Sequence, residues 1–308
     1  MSETKITTMK EKDMEKVTTK QKWVKVSVQV GLYLFLGIMA LIIIFPFYWM
    51  IISSMKSKLE YEAPVPSLIP SEPWVNMVSN YGEAFKKAEL VNLFKNTVIV
   101  GVVSTALSLV ITVITAFVFA RLEFKGKNAM FAFLLATMMI PGELFTISNY
   151  QTVAKWGWVS ATTPIKGYGV LIVPFLVSVF YIYLLRQNFL QIPNELYLAA
   201  KVDGTKDLKY LWKVMIPLAL PSIISITILK MMGAWNTYVW PKLVSHSSGK
   251  YYLITYGLRT AFQDANTDSA NIPQQMAAVT VVSIPLFLVF IFLRKYIMKG
   301  VSRSGIKG

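Results

Sequence analysis

Apolar residues in this chain gather in long unbroken runs, without the strict alternation of a half-buried strand or the narrow stripe of a soluble amphipathic helix. A helix needs about 20 apolar residues to cross a bilayer core about 30 Å thick. Charge-free runs of that order occupy residues 26–55, 96–120, 167–185 and 269–293. A fifth, 214–241, is interrupted only by Lys230. The weakest extends from 128 to about 148 and carries Glu143 past its middle. Soluble domains rarely hold four such runs, so the pattern predicts an all-α, polytopic membrane protein with six transmembrane helices.

Basic residues flank these runs and set the expected orientation. With the N-terminus cytoplasmic, inside segments collect 20 Lys and Arg and outside segments 10, which places both termini in the cytoplasm. The largest outside loops are then 57–95 and 245–274, and the main inside loop is 186–213. The run 26–55 follows several lysines, as a secretory signal would. It is longer than a signal's apolar region, and no small-residue cleavage site follows Phe45-Pro46-Phe47-Tyr48-Trp49, so it reads as a retained span. The expected organisation is a polar, Lys-rich cytoplasmic tail over 1–25 and a first transmembrane helix over 26–55. A five-helix unit over 90–298 and a short cytoplasmic tail over 299–308 follow. The first tail is either held near anionic lipid or is simply the charged anchor of the first span.

Composition narrows the chemistry. Of the 308 residues 55% are hydrophobic and 15% charged, against about 45–50% and about 25% in soluble domains. The net charge of +15 would suggest nucleic acid on a soluble chain; here the basic residues border apolar runs, which favours the membrane. With no cysteine there is no disulfide, thiolate site or cysteine nucleophile. The one histidine, His246, sits in a Ser-rich loop and reads as solvated. Gly126-Lys127-Asn128 and Gly249-Lys250-Tyr251 lack the earlier glycine and the following hydroxyl of a phosphate-binding loop. No paired carboxylates or Ser-His-Asp set lie in or near the spans. The chain is expected to be non-catalytic and to need no cofactor or metal.

The loop after the fourth span is the most informative segment: Gln191-Ile192-Pro193-Asn194-Glu195-Leu196-Tyr197-Leu198-Ala199-Ala200-Lys201-Val202-Asp203-Gly204. Pro193 ends what precedes it, and Asn194 is suited to cap a new short helix. Glu195 falls in its first turn, where the helix dipole favours an anion. Leu196, Ala199 and Ala200 recur at helical spacing, and Gly204 supplies a left-handed closing residue. Thr205 is suited to cap a second helix with Asp207 in its first turn, running to Trp212 before Pro217 and Pro221 interrupt it. Two short helices joined at Asp-Gly suit docking into a partner's groove; the alternative is an amphipathic segment resting on the membrane surface.

Residues 195–221 resemble the coupling loop of permeases in carbohydrate ABC importers, written E-A-A-x-x-x-G with a later Leu-Pro break. Ala199, Ala200, Asp203, Gly204 and Pro217 fall on its positions. Flanking stretches extend the likeness: Ile140-Pro141-Gly142-Glu143, Lys155-Trp156-Gly157-Trp158-Val159 and Leu184-Leu185-Arg186-Gln187-Asn188-Phe189 upstream, then Ala234-Trp235-Asn236-Thr237-Tyr238-Val239-Trp240-Pro241 and Tyr296-Ile297-Met298-Lys299-Gly300 downstream. The chain is similar, from about Leu93 onward, to the shorter six-span permease of maltodextrin, multiple-sugar and glycerol-3-phosphate importers. One departure is clear: Leu198 stands where the family has Glu, and Glu195, three residues earlier, is the candidate substitute.

The resemblance implies a type I ABC importer permease fold with a cytoplasmic coupling helix, located in a bacterial plasma membrane. It implies a second permease subunit forming a heterodimer, two cytoplasmic ATPases that hydrolyse ATP, and an extracellular solute-binding protein. Coupling would run through residues 187–221. Pathway candidates lie in the fifth span: Lys230, ionisable inside an apolar run, and Trp235, Asn236 and Tyr238, which with Trp240 offer ring faces and hydrogen-bonding edges to a sugar. Such aromatic groups also collect at membrane interfaces. The rival readings are a permease of this fold for a non-sugar solute and an ion-coupled secondary transporter. The second lacks internal repeats and embedded acids beyond Glu143.

Overall fold

A computed structural model describes residues 3–245, 249–262 and 271–302, with side chains over 25–245, 249–262 and 271–294. His246 and most of the second outside loop's centre lie outside the described residues. Every regular element among the described residues is helical. In chain order they are α1 Glu3–Ser54, α2 Lys58–Tyr61, α3 Pro73–Lys87, α4 Leu90–Arg121, α5 Lys127–Thr137, α6 Phe145–Lys155, α7 Pro164–Ile172, α8 Val179–Leu190, α9 Asn194–Val202, α10 Asp207–Tyr210, α11 Ile216–Asn236, α12 Val239–Ser245, α13 Ile254–Phe262 and α14 Ile272–Ser302.

Four helices are long and apolar enough to cross a membrane unaided: Lys25–Ser54, Leu90–Arg121, Asp207–Asn236 and Ile272–Arg294. The other two expected spans are broken. Lys127–Thr137 and Gly142–Lys155 meet at 77°, with Pro141 at the corner and Glu143 exposed beside it. Pro164–Phe175 and Val179–Leu190 meet at 54°. The fold has six spans if each bent pair counts as one. The Lys-rich N-terminal stretch continues the helix of the first span, since α1 begins at Glu3.

The prolines of the fifth span do not interrupt it, contrary to the expectation from sequence. A π-helical stretch over Leu211–Met215 absorbs the register change ahead of Pro217, and α10, this stretch and α11 run on as one helix. Pro217 directly follows this stretch, whose last bond runs from Ile216 N–H to the Leu211 carbonyl. Pro221 lies one turn further within α11, and its carbonyl accepts from Ser225 Oγ at 2.9 Å.

Helices α4, α8 and α11 form the centre of the bundle, while α1 lies at its margin against α14 and α3. Residues 26–44 of α1 are exposed all round, as a helix facing lipid or a partner subunit requires. At one end of the bundle Phe117, Leu185, Phe189, Tyr210, Leu211 and Met215 pack into one core. At the other end two clusters form around Trp235 with Leu93 and Ala277, and around Trp240 with Val100 and Tyr251. Asn96 pins the second of these: its Nδ2 donates to the carbonyls of Lys250 and Tyr252 at 2.8 and 3.1 Å, and Tyr168 donates to its Oδ1 at 2.8 Å. Lys56, 1% exposed, sits 4.5 Å from the Trp49 ring and donates to the Ser67 carbonyl, fastening the loop after α1.

Gly167 marks a close approach in α7. A Cβ there would stand 2.4 Å from Cδ2 of Tyr251, a buried ring tied to the Thr162 carbonyl. Gly167→Ala is expected to cost roughly 1–3 kcal/mol through overpacking. Gly82→Ala on the exposed side of α3 meets nothing within 4 Å and is expected to leave stability unchanged or slightly raised. Thermal unfolding of the detergent-solubilised variants measures the difference.

Candidate coupling site and translocation cavity

The protruding element is α9, joined to α8 by Gln191, Ile192 and Pro193. It starts at Asn194, with Pro193 in the capping position and no side-chain cap, so Asn194 does not cap it as expected. A residue already inside the first turn cannot fold its side chain back as a cap does. Its far end closes as read from the sequence. Gly204 has φ +70°, Gly204 N–H donates to Lys201 O at 3.0 Å, and Thr205 N–H donates to Ala200 O at 2.8 Å. This is a Schellman closure, which needs the left-handed residue that glycine supplies without strain. The next helix starts at Asp207 with Lys206, not Thr205, in the capping position.

Tyr197 faces inward, packing on Tyr210 at 5.1 Å between ring centroids. Its hydroxyl donates to Asp207 Oδ1 at 2.8 Å, and the same oxygen accepts from Lys201 Nζ at 2.7 Å. The hydrogen bond to Asp207 holds the Lys201 ammonium above the ordinary lysine range, so it stays charged at neutral pH. An exposed pair adds little stability; what it contributes is a fixed angle between α9 and α10. The outward face carries Glu195, Leu198 and Val202, all exposed, with Val202 at 88%. Glu195 and Leu198 are three residues apart on a 3.6-residue turn and so share this face. Leu196, Ala199, Ala200 and Asp203 instead border a groove of about 270 Å³ beside Lys209 and Tyr210. Leu208 and Trp212, both more than 60% exposed, extend the apolar surface beyond it.

Two arginines that the sequence reading did not single out lock this assembly to the bundle. Arg121 ends α4 and is buried; its Nη2 donates to the carbonyls of Phe189 and Ile192, at the end of α8 and just before α9. Arg186, in the last turns of α8, donates from Nε to the Phe119 carbonyl at 3.0 Å and lies 4.0 Å from the Phe131 ring. Each helix thus ends on a guanidinium supplied by the other. Cations at helix C-termini satisfy unpaired carbonyls and the negative dipole end together.

The second candidate feature is the break between α7 and α8. Pro174 has no N–H for the Val170 carbonyl four residues back, and that carbonyl accepts instead from Trp240 Nε1 at 2.9 Å. The Phe175 carbonyl at the break accepts from Lys230 Nζ at 2.8 Å. A cavity of about 320 Å³ opens here, lined among others by Ser104, Ser178, Tyr181, Lys230, Thr237 and Trp240. A larger one, about 840 Å³, opens at the end away from α9 among Lys87, Lys95, Asn96, Tyr168, Lys250 and Tyr252. It is walled mainly by residues of α4, α7 and α13 and includes neither Lys230 nor any residue of the break itself.

The structure separates the pathway candidates. Lys230 lines the 320 Å³ cavity. Trp235 is buried in the neighbouring core, 5.7 Å from Phe94. Asn236 is exposed and bonds its own helix at Met232 O. Tyr238 lies past the end of α11, between Lys242, Arg259 and Tyr256. Tyr181, Ser104, Ser178 and Thr237 line the cavity without having been read from sequence. Pro174, midway along an apolar run, is the signal that locates them.

Two broken spans, a cavity beside one of the breaks and a short helix anchored outside the bundle are the architecture of a polytopic α-helical membrane protein. A family model described as binding-protein-dependent transport system inner membrane component matches residues 108–303. The chain belongs to that family and is a membrane transport permease, which bears out the resemblance read from residues 195–221. The arabinooligosaccharides transport system permease protein AraQ of Halalkalibacterium halodurans is 29% identical over 270 residues, covering 87% of this chain and 93% of the relative. The sn-glycerol-3-phosphate transport system permease protein UgpE of Rhizobium meliloti is 28% identical over 280 residues, covering 87% and 93%. The inner membrane ABC transporter permease protein YcjP of Escherichia coli is 26% identical over 284 residues, covering 91% and 97%. A crystal structure of a bacterial ABC transporter involved in the import of the acidic polysaccharide alginate superposes with a TM-score of 0.76 at 23% identity, covering 87% of this chain and 95% of that one. The all-α importer-permease fold expected from sequence is the fold observed.

Replacing Arg121 with Met leaves the Phe189 and Ile192 carbonyls without their donor. The expected cost is about 2–4 kcal/mol, in the range for losing a charged group's buried hydrogen bonds. Amide exchange across residues 189–206 is expected to quicken more than exchange in α14.

Proposed function

We propose that this chain is one of two permease subunits of an ATP-driven importer that moves a sugar or small sugar derivative into the cell. It forms half of the translocation pathway with a second, different permease subunit. Two ATPase subunits bind on the cytoplasmic side at α9 and its surroundings, and an extracellular binding protein delivers the solute. Both termini and α9 then lie in the cytoplasm, in keeping with the excess of Lys and Arg on that side.

The observation that carries this reading is α9 itself. It is a two-turn helix whose outward apolar residues are unsatisfied within the chain, yet it is fixed at both ends by the Schellman closure, the Tyr197–Asp207–Lys201 cluster and Arg121. A helix merely lying on lipid needs no such anchoring; one that transmits a push does. Closing of the ATPases on ATP moves α9, and α9 carries α8 with it, shifting the pathway between two states of different ATP affinity. The permease hydrolyses nothing. Relatives named for arabinooligosaccharides and for glycerol-3-phosphate support a sugar-class solute.

The test is assembly of the full complex in lipid with its binding protein. ATPase activity stimulated by a sugar only when all components are present supports the proposal; solute movement driven by an ion gradient without the ATPases overturns it. Glu195→Lys is expected to reduce co-purification of the ATPase severalfold, because it reverses the charge on the outward face of α9. Co-purification equal to wild type would assign no coupling role to Glu195.

A further inference from the structure

We infer that the cavity at the α7–α8 break receives a negatively charged group of the solute, a carboxylate or phosphate, and that Lys230 is the residue that selects it. The inference deepens the proposed import function and rests on it.

Lys230 is the one ionisable group with a formal charge among the residues lining this cavity. It is half-buried, reaches the Phe175 carbonyl at 2.8 Å and lies 5.9 Å from the Tyr181 ring, with no ion pair to a carboxylate among the described residues. An ammonium has three N–H donors, and one is accounted for. The remaining two, beside a cavity also lined by Ser104, Ser178, Tyr181 and Thr237, lack a charged acceptor there. Capping one carbonyl does not require a charge; the amide of Gln or Asn or the hydroxyl of Ser would serve at less desolvation cost. Nor does a neutral sugar need one, since hydroxyls and ring faces meet its needs. An uncompensated cation in an apolar bundle is matched by a ligand that brings the opposite charge. The cavity's other features complete such a site. Hydroxyls line it for sugar OH groups, and the rings of Trp240 and Phe175, edge to face at 5.5 Å, form an apolar wall.

The experiment uses the reconstituted complex with its binding protein. Uptake and ATPase stimulation are compared for three solutes matched in size: a neutral sugar, its uronate and its phosphate, after binding of each to the isolated binding protein has been measured. Wild type is expected to transport an acidic member and to discriminate against the neutral one by more than the binding protein alone does. Lys230→Gln keeps a donor for Phe175 O but removes the charge, and is expected to weaken acidic-solute stimulation by about tenfold or more, the scale of one charge-assisted hydrogen bond. Lys230→Arg is expected to retain most of it. Whether the uronate or the phosphate responds names the group. Preference for the neutral sugar in wild type, or equal acidic-solute transport by wild type and Lys230→Gln, overturns the inference while leaving sugar import standing. Absence of any sugar-dependent ATPase activity in the complete complex instead refutes the import reading beneath it.

Discussion

A backbone carbonyl released inside an apolar bundle has to find a donor, because neither lipid nor packed side chains supply one. Much of this structure follows from that requirement. The chain bends one span by 54° and ends two helices side by side at the α9 end, and each of these places frees carbonyls. Trp240 meets Val170, Lys230 meets Phe175, Arg121 meets Phe189 and Ile192, and Arg186 meets Phe119. Four long side chains with polar ends therefore tie α4 to α8, α12 to α7, and α11 to the break between α7 and α8. Side chains that satisfy one helix from another also fix the angle between them, so the satisfaction of hydrogen bonds and the setting of geometry are one act here.

Two arginines within one small region would repel were both not embedded in carbonyls. The reciprocal arrangement resolves this, since each guanidinium sits where two parallel helix dipoles present their negative ends. Arg186 also gains from the Phe131 ring at 4.0 Å, a contact that ties α5 to the same corner. The outcome is a rigid junction at the root of α9. The core of Phe117, Leu185, Phe189, Tyr210 and Met215 lies directly behind it, so the junction is packed as well as bonded.

The long apolar runs made six spans legible, because bilayer thickness fixes helix length and a charge-free run of that length has few other uses. Gly204 was equally legible, since the left-handed closure it provides is local. What sequence reading missed is non-local or depends on balance between neighbours. Asn194 and Thr205 are good capping residues, yet α9 begins at Asn194 itself, and α10 begins two positions after Thr205. Propensity offers candidates, and the packing of Tyr197 on Tyr210 sets the register. Pro217 was read as a break because an isolated helix would break there; a π-helical stretch just before it restores continuity, and nothing in the sequence announces that. The aromatic group 235–240 looked like one cluster because it is contiguous. The end of α11 at Asn236 sends Trp235 into one core and Trp240 into another. Arg121 and Arg186 read as ordinary inside positive charges, and only the parallel ending of their helices gives them partners.

The placement of the break relative to α9 bears on how a push is transmitted. Helix α8 spans Val179–Leu190, twelve residues, or about 18 Å at 1.5 Å per residue. One end carries the arginine junction and α9; the other meets the bend and the cavity with Lys230. Because the junction is rigid, a displacement of α9 on the proposed reading is not absorbed locally and reaches the bend as a rotation of α8. The bend is the weaker point, since there the intrahelical ladder is interrupted and single side chains from α11 and the segment after it hold the carbonyls. Lys230 therefore stands at the place where movement of α8 changes the cavity most directly. On the proposed reading, a solute anion held by the ammonium's other two N–H groups binds directly beside the bond that caps the Phe175 carbonyl. Solute occupancy and the angle of α8 then meet at one ammonium, which on that reading gives the cavity a physical means of reporting its contents along α8 toward α9.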